Sequence, residues 1–296
     1  MTEGFFMLIE FIKAIAFGII EGICEWLPVS STGHIILLGD ILSFDAASEL
    51  GDGFAEAYSE MFDFVIQLGA IMAVVVLYFG KLNFFSRKKS REEKAEIFSL
   101  IGKLIVASIP AGVIFIAGDR LVEAIFGKDI NGIFYNSVTV ASMLILYGLL
   151  FLFAEFFINR GRTEERSLGA KEAFFVGCFQ ALSIIPGTSR SGATILGARL
   201  LGISRSTAAE FSFFLAVPAI AGASLFGSVD FISYVVENQV RVPFILISFL
   251  AVASLVAFVV SMVTIRALVA FVKKHSFAPF GIYRILLGVL VLMLLK

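Results

Sequence analysis

Two acidic residues near the start of the chain lie in a strongly apolar stretch. Glu21 and Glu25 are four residues apart, so on a helix both side chains project from one face. Like charges at that spacing repel each other, and the repulsion grows in a low dielectric. The pair therefore requires a cation, a shared proton or an arginine, unless both side chains reach water at a helix end.

Hydroxyl side chains and a histidine follow these acids. Pro28 ends the first helix, and the next polar residues, Ser30, Ser31 and Thr32, are suitable N-caps for a second helix. The backbone N–H groups at a new helix N-terminus form an anion site. His34 lies one turn after Ser31, close enough to act on its hydroxyl. The alternatives are capping alone for the hydroxyls and a structural role for His34.

A second polar loop supplies the opposite charge. Arg190 can bind phosphate through two parallel N–H bonds. Glycines beside it allow close approach of the backbone, and hydroxyl groups and amides donate hydrogen bonds. The pattern predicts a phosphate-binding loop, although it matches no P-loop motif. The alternative is a salt bridge from Arg190 to Glu21 or Glu25 that holds the two loops together. The flanking residues are Ser189, Ser191, Gly192 and Thr194.

The composition indicates an integral membrane protein. Of the 296 residues, 59% are hydrophobic and 16% are charged, against about 45–50% and about 25% in soluble domains. The net charge of −1 gives no reason to expect a nucleic-acid partner. Cys24 and Cys178 have no metal-binding spacing and are interpreted as small buried residues. The few charges in apolar stretches therefore stand out as candidate functional groups.

The hydrophobic pattern predicts an all-α polytopic membrane protein. Two apolar stretches, 5–43 and 170–203, are each broken by a polar run, at 26–34 and 184–194. We interpret these two stretches as re-entrant helix–loop–helix hairpins. The order is hairpin, three spans, hairpin, three spans, which predicts an inverted repeat in a single domain, with repeats at about 1–158 and 165–296. The six predicted transmembrane helices are 61–80, 98–118, 137–158, 208–227, 243–265 and 280–295.

Loop charges predict the orientation. The loop at 40–60 carries acidic residues and no Lys or Arg, whereas the loop at 81–94 is strongly basic. By the positive-inside rule the basic side is cytoplasmic, so both termini face outward. Lys103 and Arg284 are expected to extend their charged ends to the cytoplasmic interface.

The two polar loops resemble the signatures of the undecaprenyl-pyrophosphate phosphatase family of the bacitracin-resistance type. The matching stretches are EGICEWLPVSSTGH at 21–34 and PGTSRSGAT at 186–194, and FVIQLG at 64–69 and EFSF at 210–213 also fit. The resemblance covers essentially the whole chain.

This resemblance implies removal of the terminal phosphate from a C55 isoprenyl pyrophosphate lipid in the bacterial inner membrane. It also implies a divalent cation, Mg²⁺ or Ca²⁺, held at Glu21 and Glu25, and a site open to the outer face. The implied catalytic residues are Glu21, Glu25, Ser31, His34 and Arg190. The residues expected to bind substrate are Ser30, Thr32, Gly33, Ser189, Ser191, Gly192 and Thr194.

The sequence leaves more than one reaction route and more than one functional class open. Ser31 attacks phosphorus or orients a water, with His34 or a glutamate taking the proton, and direct attack by His34 is a third route. The rival class is a secondary transporter or lipid-phosphate carrier, because broken helices meeting at the midplane also serve transport. A purely structural scaffold leaves the polar cluster unexplained. The expected partners are the polyprenyl pyrophosphate, membrane lipid and a second copy in a homo-oligomer.

Overall fold

The computed structural model describes residues 3–31, 33–35, 38, 42, 45–127, 133–134, 136–158 and 167–294. Within these ranges the regular structure is helical, without strands. The main helices are α1 (Glu3–Cys24), α2 (Asp52–Leu77), α3 (Arg91–Phe126), α4 (Ser137–Phe153), α5 (Ala170–Ala181), α6 (Arg190–Leu200), α7 (Arg205–Glu237), α8 (Phe244–Val272) and α9 (Ala278–Leu294). Shorter elements are Asp45–Ser48, Phe79–Leu82, a π-turn at Ala154–Ile158 and a 3₁₀ turn at Leu182–Ile184.

Five of the described helices are long and apolar enough to cross a bilayer, which confirms an all-helical, multi-pass type of membrane protein. They are Asp52–Leu77, Arg91–Gly118, Ser137–Phe157, Arg205–Glu237 and Phe244–Val272. The sixth predicted span, 280–295, is helical as far as Leu294, but its apolar part, Ala278–Met293, is shorter than the other five.

The long helices separate the charges of the chain into two ends. α2 has 26 residues, or about 39 Å at 1.5 Å per residue. Its first turns carry Glu56 and Glu60, whereas Lys81 and the basic loop follow its last turn. Glu210 near the start of α7 pairs with Lys81, with 2.7 Å between Nζ and Oε2, so α2 and α7 run antiparallel. The acidic and basic loops therefore lie at opposite ends of α2.

Small residues allow close helix packing. A Cβ on Gly22 of α1 would lie 2.8 Å from the Ala257 carbonyl oxygen of α8, and one on Gly18 would meet the Ala253 carbonyl. Gly18 and Gly22 therefore form the small-residue face along which α1 packs against α8. Gly148 of α4 approaches α9 in the same way, with the built Cβ 2.7 Å from a carbonyl oxygen of that helix. Backbones that come this close hold α1 and α9 rigidly, because no side chain separates the helices.

Both predicted helix breaks are present. α1 ends at Cys24 and a turn covers 25–29, while α5 is followed by the 3₁₀ turn and by a bend before α6 begins. The sequence predicts half-helices of roughly 10–18 residues on either side of each break, and α1, with 22 residues, is longer. It continues through two charged residues because Lys13 and Glu10 pair with each other at 2.6 Å inside the protein. A charge that is paired on its own helix does not interrupt that helix.

Candidate functional site

The two loops share an unusual backbone. Ser30 and Ser189 both have positive φ, 78° and 69°, a region that non-glycine residues seldom occupy. Each serine caps the helix that follows. The N–H of Gly33 donates to Ser30 Oγ at 3.3 Å, and that of Gly192 donates to Ser189 Oγ at 3.1 Å. This matching geometry aligns the two loops residue by residue.

The alignment shows where the two loops differ chemically. Ser31 and Arg190 each follow the capping serine, and Glu21 and Gln180 each lie nine residues before it. The two loops therefore share the capping geometry and carry complementary side chains at equivalent positions. Such non-glycine residues with positive φ are typical of functional sites, where the surrounding structure maintains the strain.

A buried ion pair joins the loops. The Nε and Nη2 of Arg190 both donate to Glu25 Oε1 at 3.1 Å. Only 12% of the Arg190 side chain and 5% of the Glu25 side chain are exposed. Nη1 of Arg190 donates to the carbonyl of Ser212 at 3.0 Å. Of the two partners that the sequence allowed for Arg190, the structure selects Glu25.

Ser31 lies on the same carboxylate. Its Oγ–H donates to Glu25 Oε2 at 2.7 Å, which is the contact that a general base makes with a hydroxyl nucleophile. Glu25 thus contacts both the hydroxyl of one loop and the guanidinium of the other. The structure places Ser31 and Arg190 each within hydrogen-bond distance of Glu25.

His34 has different partners from those expected. Its Nδ1 lies 2.7 Å from the Ser30 carbonyl oxygen, and its Nε2 lies 2.6 Å from the hydroxyl of Tyr283 on α9. In this arrangement Ser31 bonds to Glu25, and His34 bonds to Tyr283. Tyr283 carries no signal in the sequence, because a tyrosine in a short apolar helix is an ordinary interface residue.

Glu21 is the exceptional group of the site. Its side chain is fully buried, and neither carboxylate oxygen has a hydrogen-bond partner among the described residues. Glu25 lies one turn away on the same face, and Asp63 of α2 is close enough for its charge to act on Glu21. A buried carboxylate without a partner is costly unless a proton or a cation is bound to it.

Arg284 corrects the sequence interpretation. It was expected to extend to the cytoplasmic interface, but it is completely buried and reaches the site instead. Its Nη1 donates to the Pro28 carbonyl at 3.2 Å, and its Nη2 donates to the Gly187 and Thr188 carbonyls at 2.8 and 2.9 Å. The broken helices leave these carbonyls without helical partners, and that demand outweighs the cost of burying the guanidinium. Arg284 therefore holds both loops together.

The remaining predicted substrate ligands serve the scaffold in this structure. Ser191 Oγ donates to the Leu27 carbonyl of the other loop at 3.1 Å. The hydroxyls of Thr194 and Ser212 lie 2.7 Å apart and are buried. The Oγ atoms of Ser189 and Ser191 are 3.2 Å apart. Thr32 lies outside the described residues. The arrangement brings together Glu25, Ser31 and Arg190 directly.

The same residues fall in regions that match known proteins. Residues 14–290 match the family described as bacitracin resistance protein BacA. A protein named undecaprenyl-diphosphatase from Streptococcus mutans is 47% identical over 289 residues, 97% of this chain and 96% of the relative. One of the same name from Enterococcus faecalis is 46% identical over 286 residues, 95% of each chain. A third, from Streptococcus pyogenes serotype M5, is 46% identical over 292 residues, 97% of this chain and 96% of the relative.

Proposed function

The chain belongs to the BacA family of bacitracin resistance proteins, and from this premise we propose that it is a membrane undecaprenyl-diphosphatase. It hydrolyses undecaprenyl pyrophosphate to the monophosphate and phosphate, and so recycles the lipid carrier of cell-wall precursors. Relatives 46–47% identical over nearly their whole length carry that name. The observation that best supports phosphoryl-transfer chemistry is that the Glu25 carboxylate accepts hydrogen bonds from both Ser31 and Arg190.

Arg190 is the proposed pyrophosphate ligand. Its two N–H groups that now donate to one carboxylate oxygen can donate equally well to phosphate oxygens. Substrate therefore competes with Glu25 for the guanidinium. Once Arg190 turns to the phosphate, Glu25 loses its cationic partner and is free to accept a proton. This exchange links substrate binding to the activation of the base.

Ser31 performs the proposed displacement. Its Oγ bonds to the terminal phosphorus while its proton passes to Glu25 Oε2, and the bridging P–O bond breaks to release undecaprenyl phosphate. Water then cleaves the phosphoserine, which gives inorganic phosphate and returns the proton to Ser31. If Ser31 and Glu25 orient a water instead, the same hydrogen bond serves that route.

Glu21 is the proposed primary ligand of a divalent cation, with Glu25 beside it. The described residues contain no group of three acidic, His or Cys side chains that could hold a metal. Mg²⁺ nevertheless commonly binds through one or two carboxylates plus substrate phosphates and water, and the two unpartnered oxygens of Glu21 fit that mode. Mg²⁺ or Ca²⁺ bound there would neutralise part of the pyrophosphate charge.

The proposed architecture is six spans and two re-entrant hairpins in an inverted repeat, within one domain. The matching loop geometry at Ser30 and Ser189 supports the repeat. The proposed location is the bacterial inner membrane. The basic end of α2 lies in the cytoplasm by the positive-inside rule, so the termini and the site entrance face outward. A homo-oligomer is compatible with this arrangement.

Phosphate release tests the function. The purified protein in detergent is given undecaprenyl pyrophosphate, and phosphate is measured for wild type, Ser31→Ala and the control Ser248→Ala. Ser248 lies on α8 and donates only to a carbonyl one turn earlier in its own helix. We expect Ser31→Ala alone to lose activity by orders of magnitude.

A transport assay separates the rival class. The protein is reconstituted in liposomes with a labelled lipid pyrophosphate, and both phosphate release and movement between leaflets are followed. Movement of intact lipid without phosphate release would favour the lipid-phosphate carrier and contradict the phosphatase. Inverted repeats alone are compatible with either outcome.

A further inference from the structure

Tyr283 makes the shortest contact to the one histidine of the site. Its hydroxyl oxygen lies 2.6 Å from His34 Nε2. The ring planes differ by 5° and the ring centroids are 5.7 Å apart, so the hydroxyl meets the edge of the imidazole, where the nitrogen lone pair points. The two residues are 249 positions apart in the chain and approach only because α9 packs against the loops.

The second nitrogen of the ring decides the protonation pattern. Nδ1 of His34 lies 2.7 Å from the carbonyl oxygen of Ser30. A carbonyl only accepts hydrogen bonds, so Nδ1 must carry a proton. In the neutral ring, Nε2 then has a free lone pair, and the hydroxyl of Tyr283 is the donor to it. Together the two contacts select one tautomer and one ring orientation.

We propose that Tyr283 is a positioning residue that, together with the Ser30 carbonyl, fixes His34 as the Nδ1–H tautomer and holds its Nε2 as a hydrogen-bond acceptor at the site. This inference rests on the proposed function and adds to it that His34, which has no step in the displacement by Ser31 and Glu25, takes part in the reaction. If Nε2 accepts a proton, the Tyr283 oxygen can turn from donor to acceptor, because a phenol performs both roles. The contact therefore survives both protonation states of the ring.

The neighbour of Tyr283 makes this positioning precise. Arg284, the next residue on α9, donates to carbonyls of both loops. These bonds, which we call the Arg284 clamp, fix the position of α9 along its axis relative to the loop that contains Ser30. The Ser30 carbonyl binds Nδ1 of the His34 ring. Tyr283 itself is 44% exposed, so it contributes little packing and its loss should leave the fold intact. The hydroxyl, rather than the ring, is the part that the inference concerns.

Nitrogen NMR of labelled histidine tests the tautomer without reference to activity. The chain has two histidines, so His275→Gln leaves His34 as the single labelled ring. Above neutral pH, we expect a protonated Nδ1 and a hydrogen-bonded, unprotonated Nε2. When Tyr283→Phe is added to this variant, the Nε2 resonance should move toward the position of a nitrogen that accepts no hydrogen bond, or signals of both tautomers should appear. An unchanged spectrum would overturn the inference.

Kinetics supply the second measurement. Tyr283→Phe should lower kcat by about tenfold, the equivalent of one hydrogen bond, with KM within about twofold. Tyr234→Phe, on α7, is the matched control and should match wild type. A Tyr283→Phe enzyme with wild-type kcat contradicts the inference even if wild type releases phosphate normally. If wild type releases none, the proposed function fails, and the spectrum still decides the tautomer.

Discussion

The two loops of the site share a capping geometry and differ in the side chain that follows it. Ser30 and Ser189 share a positive φ and the same helix-capping bond. The following residue is a hydroxyl in the first loop and a guanidinium in the second, Ser31 and Arg190. The comparison teaches that one capping geometry can present different side chains, and that the site needs a residue from each loop, Ser31 from the first and Arg190 from the second.

The largest expected effect comes from the charged member of that pair. Arg190→Ala should lower kcat/KM for undecaprenyl pyrophosphate by about 10³-fold, because the phosphate loses its bidentate donor. Arg190→Lys keeps the charge but not the fork, so it should recover only part of the loss. Steady-state phosphate release measures both. The exposed Arg241→Ala is the control, and near-wild-type turnover of Arg190→Ala would disprove a site shared by two loops.

A second comparison concerns Glu21 and Gln180, which occupy equivalent positions before the two loops but should differ in their importance for activity. Glu21 and Gln180 are both buried, and both have polar atoms without hydrogen-bond partners among the described residues. Glu21→Gln should lower kcat by about 10²-fold, since it removes the charge that faces the substrate. Gln180→Leu should keep activity and raise or maintain the thermal midpoint, because an unpaired buried amide is replaced by an apolar group. Equal losses in both variants would mean that the positions are functionally alike.

Glycines at equivalent positions should respond unequally. A Cβ at Gly192 would lie 2.9 Å from Arg284 Nη1 and 3.1 Å from Ser189 Cβ, whereas one at Gly33 would come no closer than 3.4 Å to any residue that the structure describes. Gly192→Ala should cost about 1–3 kcal/mol of stability through overpacking and should reduce activity by displacing the clamp. Gly33→Ala should stay close to wild type. Thermal unfolding in detergent with parallel assays compares them, and a more damaging Gly33→Ala would reject the comparison.

The smallest effect is expected where the loops are most alike. Ser30→Ala and Ser189→Ala should each cost about 1 kcal/mol, because each removes one helix cap. Ser189→Gly should cost less than Ser189→Ala, since glycine accepts the positive φ. Unfolding midpoints report the three values. Strongly unequal losses of stability in the two alanine variants would show that the two caps contribute differently to stability despite their shared geometry.

Much of the fold follows from patterns that depend on local chemistry. Apolar length predicts the spans, and the polar runs at 26–34 and 184–194 predict the breaks that the structure contains. The pairing of Arg190 with a glutamate is one of the alternatives that the sequence allows, because opposite charges attract strongly in a low dielectric. Which of two glutamates it contacts depends on the relative rotation of α1 and α6, and a sequence does not specify that rotation.

The two site residues that the sequence does not reveal lie on α9. Its pattern predicts Arg284 at the end of a span and gives Tyr283 no role beyond that of an ordinary aromatic residue. Their partners are backbone carbonyls of Pro28 and Gly187 and the ring of His34, which lie about 100 to 250 residues earlier in the chain. Backbone acceptors leave no trace in residue types. An arginine inside an apolar helix is nevertheless a signal of a functional or structural site, as a buried glutamate is.

The clamp made by Arg284 also has a consequence for synthesis. Every other residue of the site precedes Arg284 in the chain, so both loops are made and inserted before the side chain that joins them exists. Until α9 packs against α4, the carbonyls of Pro28 and Gly187 lack the guanidinium that they bind in the folded protein. A nascent chain halted before α9 would therefore carry all the reactive groups and no assembled catalyst. The order of translation thus delays the active enzyme until its last described helix is in place.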